Sequence, residues 1–456
     1  MTSRPTTTWA KAMAAGAALA LSLTACGSDS GSSPEAGGES SSPSSSDSAS
    51  SDGGSSEEFT NDECSANATS ADFLKVGGIL PLTGNLAFLG PPEIAGVGLA
   101  VSDINAAGGV DGTEACHAIE DSGDSTDMSV STASAGTLVA GDPSVVIGAA
   151  SSSVSLNVVD TFTDEEIVQI SPANTAVDLS GYSDYYFRTA PPDTIQGNAL
   201  GNLVSSDGFQ RVAFLVFNDT YGTGLRNFTQ EAIEAAGGEV VYGGRGDGDE
   251  FPAGQTTFSS DVSAALNTNP DAIIILAFDE TKAIVPELAA QGWDMAKTYY
   301  SDGNTADYSE DLEAGTLEGA KGTIPGADAA QEFKDRLVGW YQSAEGEGLS
   351  DFAYAAESYD AAILAGLAAL KGGATDSATV QANLAAVSGA TDGTECTTYA
   401  DCADLIANGE EIRYAGPSGI GPINQDNDPS SAFIGIYQFD ADNAPQLVTT
   451  QEGSSE

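Results

Sequence analysis

VGGILPLTGNLAFLGPPEIAGVGLAVSDINAAGGVDG, residues Val76–Gly112, contains one complete structural unit. Val76–Leu82 is a short apolar run of strand length that ends in Pro81-Leu82-Thr83-Gly84. From Pro92 to Ala106, Ile94, Val97, Val101 and Ile104 recur every three or four residues, the spacing of one helix face. Pro91-Pro92 suits a first turn, where the missing N–H is no loss, and Gly108-Gly109 stops the helix. The stretch is a strand, a loop and a helix.

The same rhythm continues in both directions along the chain. A strand is expected near Ala118, a helix near Met128–Ala140, a strand at Val145–Ile147, a helix near Val154–Phe162 and a strand at Ile167–Ile170. Val212–Phe217 and Ala272–Phe278 are continuous apolar runs, the mark of strands covered on both faces. Helices follow near Leu225–Ala236 and Lys282–Gln291. Repeated βα units with right-handed crossovers give an α/β fold of parallel, doubly wound sheets. One such sheet does not absorb roughly 400 residues, so two lobes are expected. Open sheets of this kind bind ligands beyond the carboxyl ends of their strands, so the loops after the strands are the place to look.

Composition narrows the chemistry. The net charge is −53, from 67 acidic and 14 basic residues. Such a surface repels a phosphate backbone and excludes nucleic-acid partners. It keeps the protein solvated and opposes self-association, so a monomer is expected. His117 is the sole histidine, which leaves nothing for a His-based triad or a His-ligated metal site. Dinucleotide, P-loop and G-x-S-x-G motifs are absent. No cofactor, metal or catalytic activity is expected. The acidic segments DSGDSTD (Asp121–Asp127), GDGDE (Gly246–Glu250) and NQDND (Asn424–Asp428) lack the glycine and terminal glutamate of a calcium loop and are taken as solvated loops.

The N-terminus is an address. Arg4 and Lys11 precede an apolar run from Met13 to Leu23 that is too short to span a bilayer. Leu23-Thr24-Ala25-Cys26 resembles the bacterial lipobox, which implies a signal peptide over 1–25 and acyl chains on Cys26. Residues 26–58 form a Ser/Gly/acidic tract with no apolar periodicity, expected to be a flexible tether. The protein is thus expected to be exported and lipid-anchored on the outer face of the cell membrane. In that oxidising setting Cys64, Cys116, Cys396 and Cys402 remain to pair. Four cysteines allow three pairings; Cys64–Cys116 with Cys396–Cys402 is the simplest.

Four motifs carry a family resemblance. Val76–Gly112, ISPANT (Ile170–Thr175), YFRTAPPDTIQG (Tyr186–Gly197) and NDTYGTGL (Asn218–Leu225) resemble, in order and spacing, the type I periplasmic binding proteins of the branched-chain amino acid group. The likeness runs from about Phe73 to about Phe439. It implies two parallel-sheet lobes joined by a three-segment hinge: lobe one over 73–192 and 325–430, lobe two over 193–324 and 431–456. It also implies a ligand site in the cleft. There Ser152 would bind the ligand carboxylate. Ala173 would offer its carbonyl to the ammonium, and Thr175 would offer a hydroxyl to the ammonium and an N–H to the carboxylate. Asp302 would pair with the ammonium and Tyr221 would cover the ligand. Tyr359, Leu89 and Phe278 would border the side-chain pocket. Elementary chemistry agrees, because a zwitterion leaving water needs donors at one end and acceptors at the other. The same residues have plainer uses: Ser152–Ser153 suit a helix cap, Asp302-Gly303 a turn, and Tyr221 a core.

The implied function is the solute-binding subunit of an ABC importer, with a neutral, branched-chain-like amino acid as ligand and a membrane permease as partner. The alternative is a sensor of the same fold for an amide or other small metabolite.

Overall fold

The computed structural model describes residues 59–454. The expected signal peptide, Cys26 and the tether lie outside the described residues.

The opening unit forms β1 (Leu74–Leu80), buried along its whole length, and α1 (Gly90–Ala106), with prolines in its first turn. β2 (Ala115–Asp121), α2 (Met128–Ala140), β3 (Val145–Gly148), α3 (Ser152–Asp164), β4 (Gln169–Ser171) and β5 (Tyr186–Arg188) follow. These five strands are all parallel, in the order β2-β1-β3-β4-β5.

The chain then crosses to a second sheet. Its elements are α4 (Asp193–Ser206), β6 (Arg211–Val216), α5 (Thr220–Ala235), β7 (Glu239–Tyr242), α6 (Ser259–Asn267), β8 (Ala272–Leu276), α7 (Thr281–Ala290), β9 (Thr298–Tyr300) and β10 (Lys321–Pro325). The parallel part, β7-β6-β8-β9-β10, repeats the winding of the first sheet. A second crossing leads to α8 (Gln331–Ala344), α9 (Ala355–Gly372), α10 (Ser377–Ala385), β11 (Thr394–Cys396), α11 (Tyr399–Ala407) and β12 (Ile412–Tyr414), which join the first sheet's core. A third crossing returns to β13 (Ser431–Phe439) and β14 (Pro445–Ser454), an antiparallel pair on the edge of the second sheet beside β10. This antiparallel addition is the one departure from the parallel sheets expected from periodicity.

Each sheet has its own hydrophobic core. In the first, α1 lies so close to α8 and α9 that a Cβ on Gly96 would collide with the Ala355 carbonyl, and one on Gly98 with the Trp340 ring. Trp340 packs edge-on against His117 with ring centroids 5.9 Å apart, so the sole histidine is a core residue of β2.

The first and third crossings are clamped by a buried ion pair. Arg188, at the end of β5, is 0% exposed and holds Asp428 at 2.7 and 2.8 Å. It also donates to the Ala176 carbonyl at 2.9 Å, Ser180 Oγ at 2.7 Å and the Asn174 carbonyl at 3.5 Å. NQDND is therefore not a purely solvated loop: its last residue is a core anion. GDGDE also departs, since Glu250 accepts from the buried Arg226 at 3.0 Å.

Cys64 bonds to Cys116 and Cys396 to Cys402. The first pair ties the incoming segment to β2, where Cys64 N–H also donates to the His117 carbonyl at 2.8 Å. Its sequence separation is 52, against 6 for the second pair. Loop-closure entropy then assigns about 4 kcal/mol to the long bridge and about 2 kcal/mol to the short one. Replacing both Cys64 and Cys116 by serine should lower the urea midpoint clearly more than the same change at Cys396 and Cys402. Equal midpoints for the two double mutants would contradict that ranking.

Candidate ligand site between the two sheets

Each sheet has a switch point where neighbouring crossovers run to opposite faces, between β1 and β3 in the first and between β6 and β8 in the second. Loops diverge there and leave a crevice beyond the strand ends. The two crevices face each other around one cavity, lined by Leu86 and Leu89 after β1, Ala150–Ser152 after β3 and Ala173–Asn174 after β4. Opposite stand Tyr221 after β6, Phe278 after β8 and Asp302–Gly303 after β9. Tyr354, just before α9, completes the wall.

The first-sheet wall is a donor surface. α3 begins here, with Ser151 as its cap, so its first N–H groups and the positive end of its dipole face the cavity. Ser152 Oγ accepts from the N–H groups of Thr175 and Ala176 at 3.3 and 3.2 Å, which leaves its own proton free to donate. The N–H of Thr175 is thereby engaged with Ser152, and Thr175 lies behind the wall, fully buried, with its hydroxyl turned to Asp193. Beside it lies the buried Asp193 carboxyl, which burial pushes up to about 8 against the opposing pull of the neighbouring Thr175 hydroxyl.

The opposite wall is an acceptor surface. Asp302 is 6% exposed. One carboxylate oxygen accepts from Tyr221 at 2.6 Å and Gln196 at 2.7 Å, and the other accepts from the Tyr354 hydroxyl at 2.6 Å. Burial raises its pKa, and these three donors pull it back down. Asp302 also lies in a turn, with Ser301 and Asn304 capping each other. The glycine of that turn serves the site, because a Cβ on Gly303 would stand 2.7 Å from the Phe278 ring. Phe278 and Tyr221 stack with centroids 5.5 Å apart and planes 13° from parallel.

The structure thus brings Ser152, Ala173, Tyr221, Asp302, Leu89 and Phe278 onto one cavity, with Thr175 directly behind. Tyr359 is elsewhere: its hydroxyl donates to Asp103 at 2.6 Å and its ring packs against Phe333 in the first core. Tyr354 and Ser151 occupy the cavity without having been singled out from the sequence. Tyr354 has φ +60°, a left-handed conformation that a bulky side chain adopts only under constraint.

Among the described residues no Lys, Arg or His lines the cavity. Arg188, close in sequence, spends its donors on Asp428, Ala176 and Ser180. No group of three or more His, Cys, Asp or Glu among the described residues is placed to hold a metal ion. The cavity has about 10 Å³ of free space, room for one water at most, so a larger guest requires the two sheets to part. Beside it, Ser153 on α3 donates to Asp219 at the start of α5 at 2.6 Å, one direct bond between the walls.

A model of the periplasmic binding protein family matches residues 74–404. The chain belongs to the periplasmic binding protein family. Its members are binding proteins, and among the described residues of this one no helix is long and apolar enough to cross a membrane. The chain is 32% identical over 204 residues to the Leu/Ile/Val/Thr-binding protein of Salmonella typhimurium, across 44% of this chain and 54% of that one. It is 31% identical over 185 residues to a leucine-, isoleucine-, valine-, threonine- and alanine-binding protein of Pseudomonas aeruginosa, across 40% and 49%. The match spans about half the length of these relatives. The fold is that of LivJ, a branched-chain amino acid transporter substrate-binding protein of Streptococcus pneumoniae solved with isoleucine: TM-score 0.67, 22% identity, 84% of this chain and 99% of that one. An R. palustris solute-binding protein solved with benzoate shares this periplasmic-binding fold at TM-score 0.64 and 17% identity, over 84% and 98%.

Proposed function

We propose that this periplasmic binding protein is the solute-binding subunit of an ABC importer and captures a neutral, branched-chain-like α-amino acid between two lobes that close on it. One observation carries the reading. A donor wall built on the start of α3 faces an acceptor wall built on Asp302 across a cavity with no cationic side chain. A carboxylate fits the first wall and an ammonium the second, while a second anionic group would have no partner. Leu86, Leu89, Phe278 and Ala150 leave an apolar border for an uncharged side chain. The amino acids named for the Salmonella and Pseudomonas relatives are of that kind. The three crossings act as the hinge, and the lobe surfaces on either side of the closed cleft dock on the permease.

A melting-temperature screen across the neutral, acidic and basic amino acids tests the ligand class. A tight ligand stabilises the folded state by about 2.7 kcal/mol at a hundredfold excess over Kd. Leucine, isoleucine or valine should shift the transition upward, and glutamate and lysine should not. A shift confined to charged amino acids would overturn the assignment. The anchor is part of the same proposal: Cys26→Ser should release the protein from membranes, and unchanged membrane retention would remove the lipid anchor from the account.

A further inference from the structure

A second, larger cavity of about 630 Å³ lies on the other side of Tyr354. Its walls are the β10–α8 crossing, the first turn of α9 and the β13–β14 hairpin, so both lobes contribute to it. Four carboxylic acids line it, Asp307, Asp328, Asp351 and Glu357, against a single cation, Lys334. Lys334 is already committed, to Asp328 at 2.8 Å and to the face of Phe352 at 5.8 Å. Glu357 is the informative group. It is 3% exposed, and its carboxylate takes a hydrogen bond from its own backbone N–H. Gly326 lies directly against it, where a Cβ would stand 2.5 Å from Glu357 Oε1; the backbone there has φ +118°. A side chain at 326 would wall the carboxylate off from the cavity, and glycine leaves it open.

A buried carboxyl with only one backbone N–H as donor is under-satisfied and costs free energy relative to water, so a protein that only needed filler here would be better served by an apolar residue. Burial pushes Glu357 up to about 8. Behind it Glu93, on α1, is fully buried with neither oxygen hydrogen-bonded, and is pushed up by burial and by Glu357. This end of the cavity is therefore poor in positive charge. The remaining walls include the rings of Phe352, Tyr354 and Tyr437, which suit the apolar body and the positive edge of a cation.

We propose that this cavity is a second ligand site, for an organic ammonium ion with an apolar body, whose charge is received by Glu357 and Asp351 and whose body lies against Phe352 and Tyr437. The site is separate from the amino-acid cleft. Tyr354 is shared, its ring lining both cavities and its hydroxyl on Asp302, so occupation of one site bears on closure around the other.

The test is calorimetric titration of the full chain with benzylamine, with benzyl alcohol as the uncharged analogue and potassium chloride as the inorganic cation. Benzylamine should bind saturably, one per chain. Benzyl alcohol should bind at least tenfold more weakly, and potassium should compete only through ionic strength. Glu357→Gln should weaken benzylamine at least tenfold. Phe352→Ala, at a half-exposed wall position, should weaken it severalfold and guards against a folding defect in the first variant. Asp302→Ala should leave benzylamine binding in place while removing amino-acid capture, which separates failure of this site from failure of the cleft. Equal binding of benzyl alcohol, indifference to both Glu357→Gln and Phe352→Ala, saturable binding of potassium in place of the amine, or loss of benzylamine in Asp302→Ala would each overturn the proposal.

Discussion

Arg188→Leu should lower the unfolding free energy by about 3–5 kcal/mol. The guanidinium is fully buried and makes two short bonds to Asp428, which is itself 3% exposed. Taking the cation away leaves an anion in the interior with only the Ser180 hydroxyl, at 2.6 Å, as a side-chain donor. The loss is then the desolvation of Asp428 rather than the worth of a surface pair. The pair also joins the first crossing, after β5, to the third, before β13, so its loss loosens two of the three crossings between the sheets. The double mutant Arg188→Leu/Asp428→Leu should recover much of the loss, because it removes the stranded charge. Urea unfolding of the three proteins decides the matter. A single mutant as stable as the parent would mean that the crossings are held by other contacts.

Asp302→Ala should weaken amino-acid binding by two orders of magnitude or more, about 3 kcal/mol in binding free energy. In the proposed complex Asp302 is the one side-chain anion on the cavity wall, so a ligand ammonium would be left buried without a counter-charge. Asp302→Asn is the informative companion. It keeps the shape and one acceptor oxygen for Tyr221 or Tyr354, turns the other oxygen into an NH2 group, and removes the charge. Both variants should fail to bind, and Asp302→Asn should keep the parent's melting temperature more closely. Should Asp302→Asn bind like the parent, the charge would not be what the site uses.

Much of this was legible in the sequence, for identifiable reasons. The first βα unit announces itself because a wholly buried strand is a continuous apolar run and α1 starts at prolines and ends at glycines. The candidate cavity lies among loops after strands because parallel winding puts every crevice at the carboxyl ends. The β13–β14 hairpin was harder, since β14 is largely exposed and polar along TTQEGS, with no apolar alternation to mark it. Strands of three residues, such as β4, β5 and β9, carry too little pattern to reveal sheet order. Tyr354 escaped notice because it follows no strand; it precedes α9 in a left-handed conformation that no periodicity signals. Tyr359, five residues along the same helix, points well over a quarter turn away and meets Asp103 instead. Ser151 and Ser152 share a run of serines, and only the geometry tells the cap from the residue that receives Thr175 and Ala176.

The central claim is that the cleft captures a zwitterion by dividing its two charges between two walls. Calorimetric titration of the parent chain with leucine and with 4-methylpentanoate, which is leucine without its amino group, tests this most directly. The account predicts saturable one-to-one binding of leucine and at least hundredfold weaker binding of 4-methylpentanoate. Equal affinity for the two would contradict it, and would place this protein with the carboxylate binders that share its fold, such as the benzoate complex from R. palustris.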